Sequence, residues 1–591
     1  GGWYDKDDQL VPESEIFERY RDEVVARSGV RFFHDDGPLH DGHTPEAAVV
    51  FLDRDITFTV DDEAEARSYV DEDPQFSVAS QTAFGEWQVT RKAGAQVRVP
   101  RRATLNRRIG GLFPTDFDPA RWGVPASMLD SIDPIAVWNL VSAVDAFVSA
   151  GFSPAELLRF IHPADLACTQ GTGFGGMRSM HKLFVDRFLG EEYPQDILQE
   201  TLPNVVAAHT MQSYIGGYGS MINPVGACAT AAVSIEEGVD KIAAHKADFV
   251  VAGAIDDIQV ESIVGFGSMN ATANSRELLD RGISPRFVSR ANDRRRGGFV
   301  EAQGGGTVLL TRASVAVEMG LPVLAVVAHA QTFADGAHTS IPAPGLGALA
   351  VARGGASSPL ARSLAALGVG VDDVAFVSKH DTSTNANDPN ESDLHTRVGR
   401  ALGRSAGNPL LVVSQKTLTG HAKGGACVFQ VGGIIDAFRS GVIPANIALD
   451  CVDDKMEQYS PLVWLRSPLD LSARGPVRAA FATSLGFGHV SGFLALVHPG
   501  AFEAVVEREA GSEALARWRS ASDARLRAGS RHFEMGMLGH APLFEPVDAR
   551  RLPDDPALGA AGDPHEVEAQ MLLDPRARLG ADGYYHLPDQ Q

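Results

Sequence analysis

A chain of 591 residues is too long for one ordinary hydrophobic core, and 44% hydrophobic content with 60 glycines places it among packed α/β proteins, not disordered ones. A formal charge of −23 argues against nucleic acid as the main partner, because neutralising phosphates needs a strongly basic surface. The four cysteines, Cys168, Cys228, Cys427 and Cys451, contain no CxxC pair, which argues against a disulfide framework or a zinc site and fits a reducing, cytoplasmic setting.

No apolar run approaches the ~18–20 residues of a membrane span. The chain opens on GGWYDKDDQL, with neither an initiator methionine nor a signal peptide, and so reads as a piece cut or processed from a longer polypeptide. Residues 1–110 are charged and mixed and form a first extension. Within them AAVVFL (47–52) and WQVTRKAGAQVRVP (87–100) read as strands, the second as a hairpin turning at Lys92-Ala93-Gly94. From 111 to 500 short apolar runs alternate with amphipathic stretches. ADFVVAGAI (247–255), VAFVSKH (374–380) and LLVVSQK (410–416) read as buried parallel strands with helices between them. Arg286, Arg290, Arg294, Arg295 and Arg296 cluster, which suits internal ion pairing better than a nucleic-acid groove. AAFATSLGFGHVSGFLALV (479–497) reads as two strands joined by a glycine turn, and 501–591 as a peripheral, partly helical extension.

Within NPVGACATAAVS (223–234), Cys228 is flanked only by small residues. Beyond it Ala232, Ile235, Val239 and Ile242 recur at helical spacing, which puts Cys228 at or just before a helix N-terminus. Unpaired N–H groups there favour an anion and are expected to lower a thiol pKa, and the small neighbours leave the sulfur approachable. By itself this stretch fits a small core cysteine as well as a nucleophile. The other three cysteines read as structural.

Two histidines lie just beyond predicted strand ends, where open α/β sheets place their ligands: His380 in VAFVSKHDTSTNANDPNES and His421 in LLVVSQKTLTGHAKGGA. A helix start near His421 disfavours its imidazolium, and a neutral imidazole can donate to developing negative charge. Either histidine alone fits an ordinary core or surface residue. A cysteine with two neutral donors suits an enolate, and so carbon–carbon bond formation between thioesters.

These motifs together resemble the β-ketoacyl-ACP synthases, and more narrowly the ketosynthase region of fungal and actinobacterial type I fatty acid synthases. VGACATA resembles the nucleophile motif, KHDTSTNANDPNES and KTLTGHAKGGA the two histidine motifs, and SLGFGHVSG the late glycine loop. GGLFPTDFDPARWGVP (110–125) is a further mark of the type I branch. The resemblance implies an α/β thiolase fold: two similar halves with mixed five-stranded sheets, layered α/β/α/β/α, with extensions at both ends. The nucleophile falls in a half spanning 111–320 and the histidines in one spanning 321–500. It implies catalytic roles for Cys228, His380, His421, Lys416 and Glu391, with Glu391 pairing Lys416. Thr382 and Thr384 are expected to contact a pantetheine arm, and Phe487 to gate the site and share an oxyanion hole with the Cys228 N–H. Asp381 stands where the motif usually has glycine, His489 where the loop has glycine, and Gln303 where a glutamate is common.

The activity so implied is acyltransfer and decarboxylative condensation with malonyl-ACP in fatty acid elongation. No metal or tightly bound cofactor is implied, only the phosphopantetheine arm of a carrier protein. The implied partners are that carrier domain, other synthase domains and a second copy in a homodimer within a larger homo-oligomer, with no nucleic acid and no membrane. Three rivals remain at this point: a polyketide-synthase ketosynthase, a non-catalytic ketosynthase-like partner, and a non-decarboxylating thiolase, which wants a second late cysteine in a glycine loop.

Overall fold

The computed structural model describes residues 3–5, 7, 9–33, 43–114, 117–187, 192–336, 346–545, 547, 569, 572–581 and 585–586. Of the type I segment 110–125, residues 115–116 lie outside the described residues. The chain divides into two compact units, His34–Arg108, and Gly1–Phe33 with Ile109–Gln591.

In the smaller unit β1 (His43–Phe51) pairs antiparallel with β5 (Gln96–Thr104). Strands β2 (Ile56–Val60), β3 (Ser77–Gln81) and β4 (Trp87–Arg91) form a second antiparallel sheet with β4 central. The Asp62 carboxylate accepts the Glu65 N–H and caps helix α1 (Glu63–Glu72), which buries Ala66 against Val60 and Val89. The expected hairpin at 87–100 is therefore a correction: its two strands join different sheets. The turn itself separates them, because the Lys92 N–H bonds the Phe76 carbonyl while the Gly94 N–H bonds that of Leu52.

In the larger unit, helix α2 (Pro134–Ala150) starts on the Asp133 cap with Pro134 in its first turn and ends at left-handed Gly151. Strands β6 (Leu166–Cys168), β7 (Phe249–Asp256) and β8 (Gly304–Thr311) form one mixed sheet, with β7 parallel to β6 and antiparallel to β8. Helix α3 (Thr230–Ala243) precedes β7. The second sheet runs β9-β14-β13-β10-β11-β12, built from β9 (Val326–Ala334), β10 (Val374–Ser378), β11 (Leu410–Val413), β12 (Leu462–Trp464), β13 (Ala479–Gly486) and β14 (Val490–Val497). Pairing is parallel across β13-β10-β11-β12 and antiparallel at β9-β14 and β14-β13. Helix α4 (Asn387–Ala401) follows β10 and α5 (Ala426–Ser440) follows β11.

Alternation along the strands shows the layering. Val250, Ala252 and Ala254 of β7 pack with Ala480, Ala482, Leu494 and Leu496 of the second sheet around α3 and α5. The opposite face of β7, through Phe249 and Val251, packs on α2. The outer face of the second sheet, through Val374, Val377, Phe481 and Phe493, packs on Leu394 and Val398 of α4. The order is helix, sheet, helix, sheet, helix, as expected. Among the described residues, however, the two sheets hold three and six strands instead of five each. Beyond β6 the pairing shrinks to one bridge, Cys168 to Met221, in a segment interrupted by Gly216, Gly217, Gly219 and Pro224. On the other sheet Leu462–Trp464 adds an edge strand.

The region after 500, expected at the periphery, carries α6 (Gly500–Ala510) and α7 (Ser512–Met537), which join the outer helical layer. Phe502, Val506, Leu515 and Trp518 are buried there, each large side chain contributing about 1.5–3 kcal/mol by leaving water. Gly151 permits the crossing of α2 and α7, since a Cβ there would lie 2.0 Å from the Arg525 carbonyl oxygen. No helix among the described residues is long and apolar enough to cross a membrane.

Candidate active site

A cavity of about 320 Å³ opens where the starts of α3 and α5 approach the ends of β10 and β13, and its lining includes Cys228, His380, Thr382, Thr384, His421 and Phe487. The sulfur and one ring nitrogen of each histidine all lie within 4.8 Å of one another. The sequence-predicted nucleophile and both histidines thus meet at one point.

Cys228 occupies a short turn, Ala227–Ala229, ahead of α3. Ala227 takes a left-handed φ of 47°, and Thr230 locks the turn by donating to the Ala227 carbonyl at 2.8 Å while accepting from the Gly226 N–H at 3.0 Å. The Ser484 hydroxyl holds the Cys228 carbonyl at 2.8 Å. Gly486 allows β13 to come this close, since a Cβ there would sit 2.4 Å from the Gly226 oxygen.

The expected lowering of the thiol pKa is overturned. Burial pushes Cys228 up to about 11 with help from Asp256, and Lys416, the Phe487 N–H and Lys423 only partly oppose it. The helix start is where the sequence put it, and burial is the leading cause of the upward shift. The resting group is a thiol.

Both imidazoles are held well below the ordinary histidine value. Burial is the main cause for each, followed by the Lys416 charge; His421 adds to the effect on His380, and Lys423 to that on His421. The expectation of a neutral His421 holds, but seclusion from water is the leading cause. The rings meet edge to face at 5.1 Å between centroids, and Phe299 packs against His421 at 5.2 Å. The His421 backbone is pinned by its N–H on the Val300 carbonyl and its carbonyl on the Ala302 N–H.

Lys416 Nζ donates to the His380 carbonyl at 2.6 Å and lies 3.3 Å from His380 Nδ1. An ammonium donating to Nδ1 leaves the ring proton on Nε2, the nitrogen free to face the cavity. Glu391 is the leading charge acting on Lys416, as expected of its partner, but no direct ion pair joins the two side chains. Its two oxygens accept the backbone N–H groups of His380 (2.5 Å) and Asp381 (2.9 Å), with Thr483 also donating to it. Both residues therefore hold the His380 backbone, Glu391 at its N–H and Lys416 at its carbonyl. Burial works against the Glu391 charge, but His395, Lys379 and the Asp381 N–H keep its pKa low.

The Thr382 and Thr384 hydroxyls lie 3.3 Å apart on the cavity wall. The Phe487 N–H bonds toward the Cys228 sulfur, and its ring meets Phe266 at 5.8 Å. Sulfur and imidazole donors of this kind suit a soft divalent ion, but the Lys416 ammonium beside His380 opposes one. Cys168 and Cys427 are buried thiols pushed up to about 12 by burial, and both lie in the hydrophobic core.

The departures noted in the sequence have structural roles. His489 and Asp381 stand at left-handed φ values of 66° and 37°. Gln303 donates to Asp257 at 2.8 Å and accepts the Phe113 N–H at 3.1 Å, which ties down the described part of 110–125. Three of the five clustered arginines form ion pairs: Arg290 with Asp293 and Asp450, Arg295 with Asp450, and Arg296 with Asp388 and Asp453, while Arg286 bonds the backbone carbonyls of Val25 and Ser28. Sequence reasoning missed Lys379, Asn292 and Thr483. Only Lys379 carried a local signal, a charge ending an otherwise apolar strand.

Residues 77–316 match the Beta-ketoacyl synthase, N-terminal domain family, and residues 324–450 match the Beta-ketoacyl synthase, C-terminal domain family. Fatty acid synthase 2 of Mycosarcoma maydis is 32% identical over 596 residues, covering 99% of this chain and 15% of that protein. Fatty acid synthase subunit alpha of Saccharomyces cerevisiae is 29% identical over 673 residues, covering 98% of this chain and 35% of that protein. The chain thus spans about a third or less of these relatives. Among solved structures, the ketosynthase FabY from P. aeruginosa superposes with a TM-score of 0.79 at 22% identity, covering 92% of this chain and 83% of that one.

Proposed function

The chain belongs to the beta-ketoacyl synthase family, and on that premise we propose that it condenses a Cys228-bound acyl group with malonyl-ACP by decarboxylation, as the elongating part of a type I fatty acid synthase. The observation that carries this reading is the convergence of one thiol and two neutral imidazoles on a single cavity.

In the first half-reaction the Cys228 sulfur attacks the acyl thioester of the carrier. Its proton passes to the departing pantetheine thiolate. In the second, a malonyl thioester places its carbonyl oxygen between His380 and His421, the C–C bond to the carboxylate breaks, and CO2 leaves. The electron pair becomes an enolate held by the two ring N–H donors. A well-placed donor is worth about 2.7–4 kcal/mol at such a centre, so two supply a large share of the barrier reduction. The enolate carbon then attacks the acyl thioester, whose oxyanion sits between the N–H groups of Cys228 and Phe487. Collapse releases the Cys228 thiolate, which takes one proton from solvent.

Thr382 and Thr384 belong to the same reading as contacts for the phosphopantetheine arm, and Lys416 and Glu391 as groups that set His380. So do the division at 110, 320 and 500, a cytoplasmic setting, the carrier and other synthase domains as neighbours, and a homodimer within a larger assembly.

The test is peptide mapping by mass after incubation with a long-chain acyl thioester, alongside release of CO2 from a malonyl thioester. Acylation confined to the Cys228 peptide, absent in Cys228→Ala, together with CO2 release abolished in His421→Ala, is expected. An adduct elsewhere, or full decarboxylation by His421→Ala, overturns the assignment.

A further inference from the structure

His380 is flanked by two charged residues that the mechanism above does not use. Lys379 and Asp381 are both fully buried and form an ion pair across the histidine, Nζ to Oδ1 at 2.6 Å. Each also reaches a different part of the fold. Lys379 Nζ donates to the Ser392 hydroxyl (2.9 Å), the Asp388 carbonyl (3.3 Å) and Asn292 Oδ1 (3.2 Å), which anchors the chain to α4. Asp381 Oδ2 accepts from the Ser414 hydroxyl (2.5 Å) and Asn292 Nδ2 (2.7 Å), which anchors it to the end of β11, two residues before Lys416.

Asp381 holds a left-handed φ of 37°, a conformation that disfavours a side chain and persists where the surroundings over-determine it. Here they do: Glu391 grips its N–H, and three side chains grip its carboxylate. Burial works against the Lys379 charge, but Asp381, Glu391 and Asp388 around it hold its pKa above the ordinary lysine value.

We propose, building on the ketosynthase reading, that Lys379 and Asp381 form a positioning pair that fixes His380 against Lys416 for the decarboxylation half-reaction. The pair touches no substrate. It acts by clamping the peptide on both sides of His380 to the two elements that carry Glu391 and Lys416, so it governs where Nε2 points. The acyl-transfer half-reaction, centred on Cys228 and the Phe487 N–H, is built on other elements and is left largely untouched.

The test compares the two half-reactions in the full chain for Asp381→Asn, the neutral double variant Lys379→Met/Asp381→Asn, and the mild Ser414→Ala. Asp381→Asn is expected to lower kcat for malonyl-thioester decarboxylation at least tenfold, with KM and the rate of Cys228 acylation within twofold of wild type. The double variant removes the unpaired buried charge and is expected to regain melting temperature while staying at least tenfold slow in decarboxylation. Ser414→Ala, which keeps the ion pair and the fold, is expected to lose about threefold in the same half-reaction only. Equal loss in both half-reactions, loss in neither, or recovery of decarboxylation along with melting temperature in the double variant overturns the proposal. A wild-type chain that releases no CO2 refutes the ketosynthase reading instead.

Discussion

Replacing Lys416 by methionine tests whether this substrate-remote cation works on His380 or only on stability. The side chain is fully buried, and burial lowers its pKa against the pull of Glu391 and Cys228. Methionine fills similar volume without charge, so the fold loses an ion that is expensive to bury and is expected to keep its melting temperature within a few degrees. The chemistry loses more. A hydrogen bond from a charged donor is worth about 1.5–3 kcal/mol, and Lys416 both holds the His380 carbonyl and faces Nδ1. Losing that restraint lets the ring sample the wrong tautomer, so a 10- to 150-fold fall in decarboxylation follows from about 1.4 kcal/mol per decade. Stopped-flow CO2 release against single-turnover acylation of Cys228 separates the effects. Acylation is expected to slow too, since Lys416 opposes the upward shift of the thiol and its removal leaves that shift larger. A variant with wild-type decarboxylation, or one that only melts earlier, refutes the reasoning.

The burial of Cys228 has a pH signature. With its thiol near 11, only about one molecule in 10⁴ is thiolate at pH 7, so alkylation by iodoacetamide in a Cys451→Ser background is expected to rise about tenfold per pH unit from 6 to 9 with no plateau; levelling at or below pH 8 refutes that shift. Gly486→Ala forces a Cβ to within 2.4 Å of the Gly226 oxygen, and separating β13 from the Cys228 turn by the better part of an ångström is expected to cost at least tenfold in acyl transfer. Transfer measured at the wild-type rate removes Gly486 from the argument.

What was legible in the sequence follows the range of the interactions involved. Period-two and period-three-to-four patterns are local, so β7, β10, β11, β13, β14 and α3 stood where the residues put them, and with them Cys228, His380 and His421. Phe487, Thr382 and Thr384 have no such pattern and came from the resemblance alone. Quantities set by distant contacts were read less well. The hairpin at 87–100 failed because partners at Phe76 and Leu52 decide where each strand goes. The thiol pKa failed because a helix start is visible in sequence, whereas the packing of Ser484 and Gly486 over the turn, from more than 250 residues away, is not. The direct contacts of Glu391 were misjudged for a related reason, although its charge does act on Lys416. Spacing of eleven residues from His380 brings the carboxylate back to the strand end, but whether it meets Lys416 or the backbone depends on which donors are already engaged there. Lys416 spends its protons on the His380 carbonyl and ring, and the two N–H groups at His380 and Asp381 are left for Glu391. The site therefore holds its first histidine through the main chain, so small shifts in the loop at 379–381 are transmitted to the reacting nitrogen. This is the reason two buried charges on that loop bear on chemistry and not only on folding.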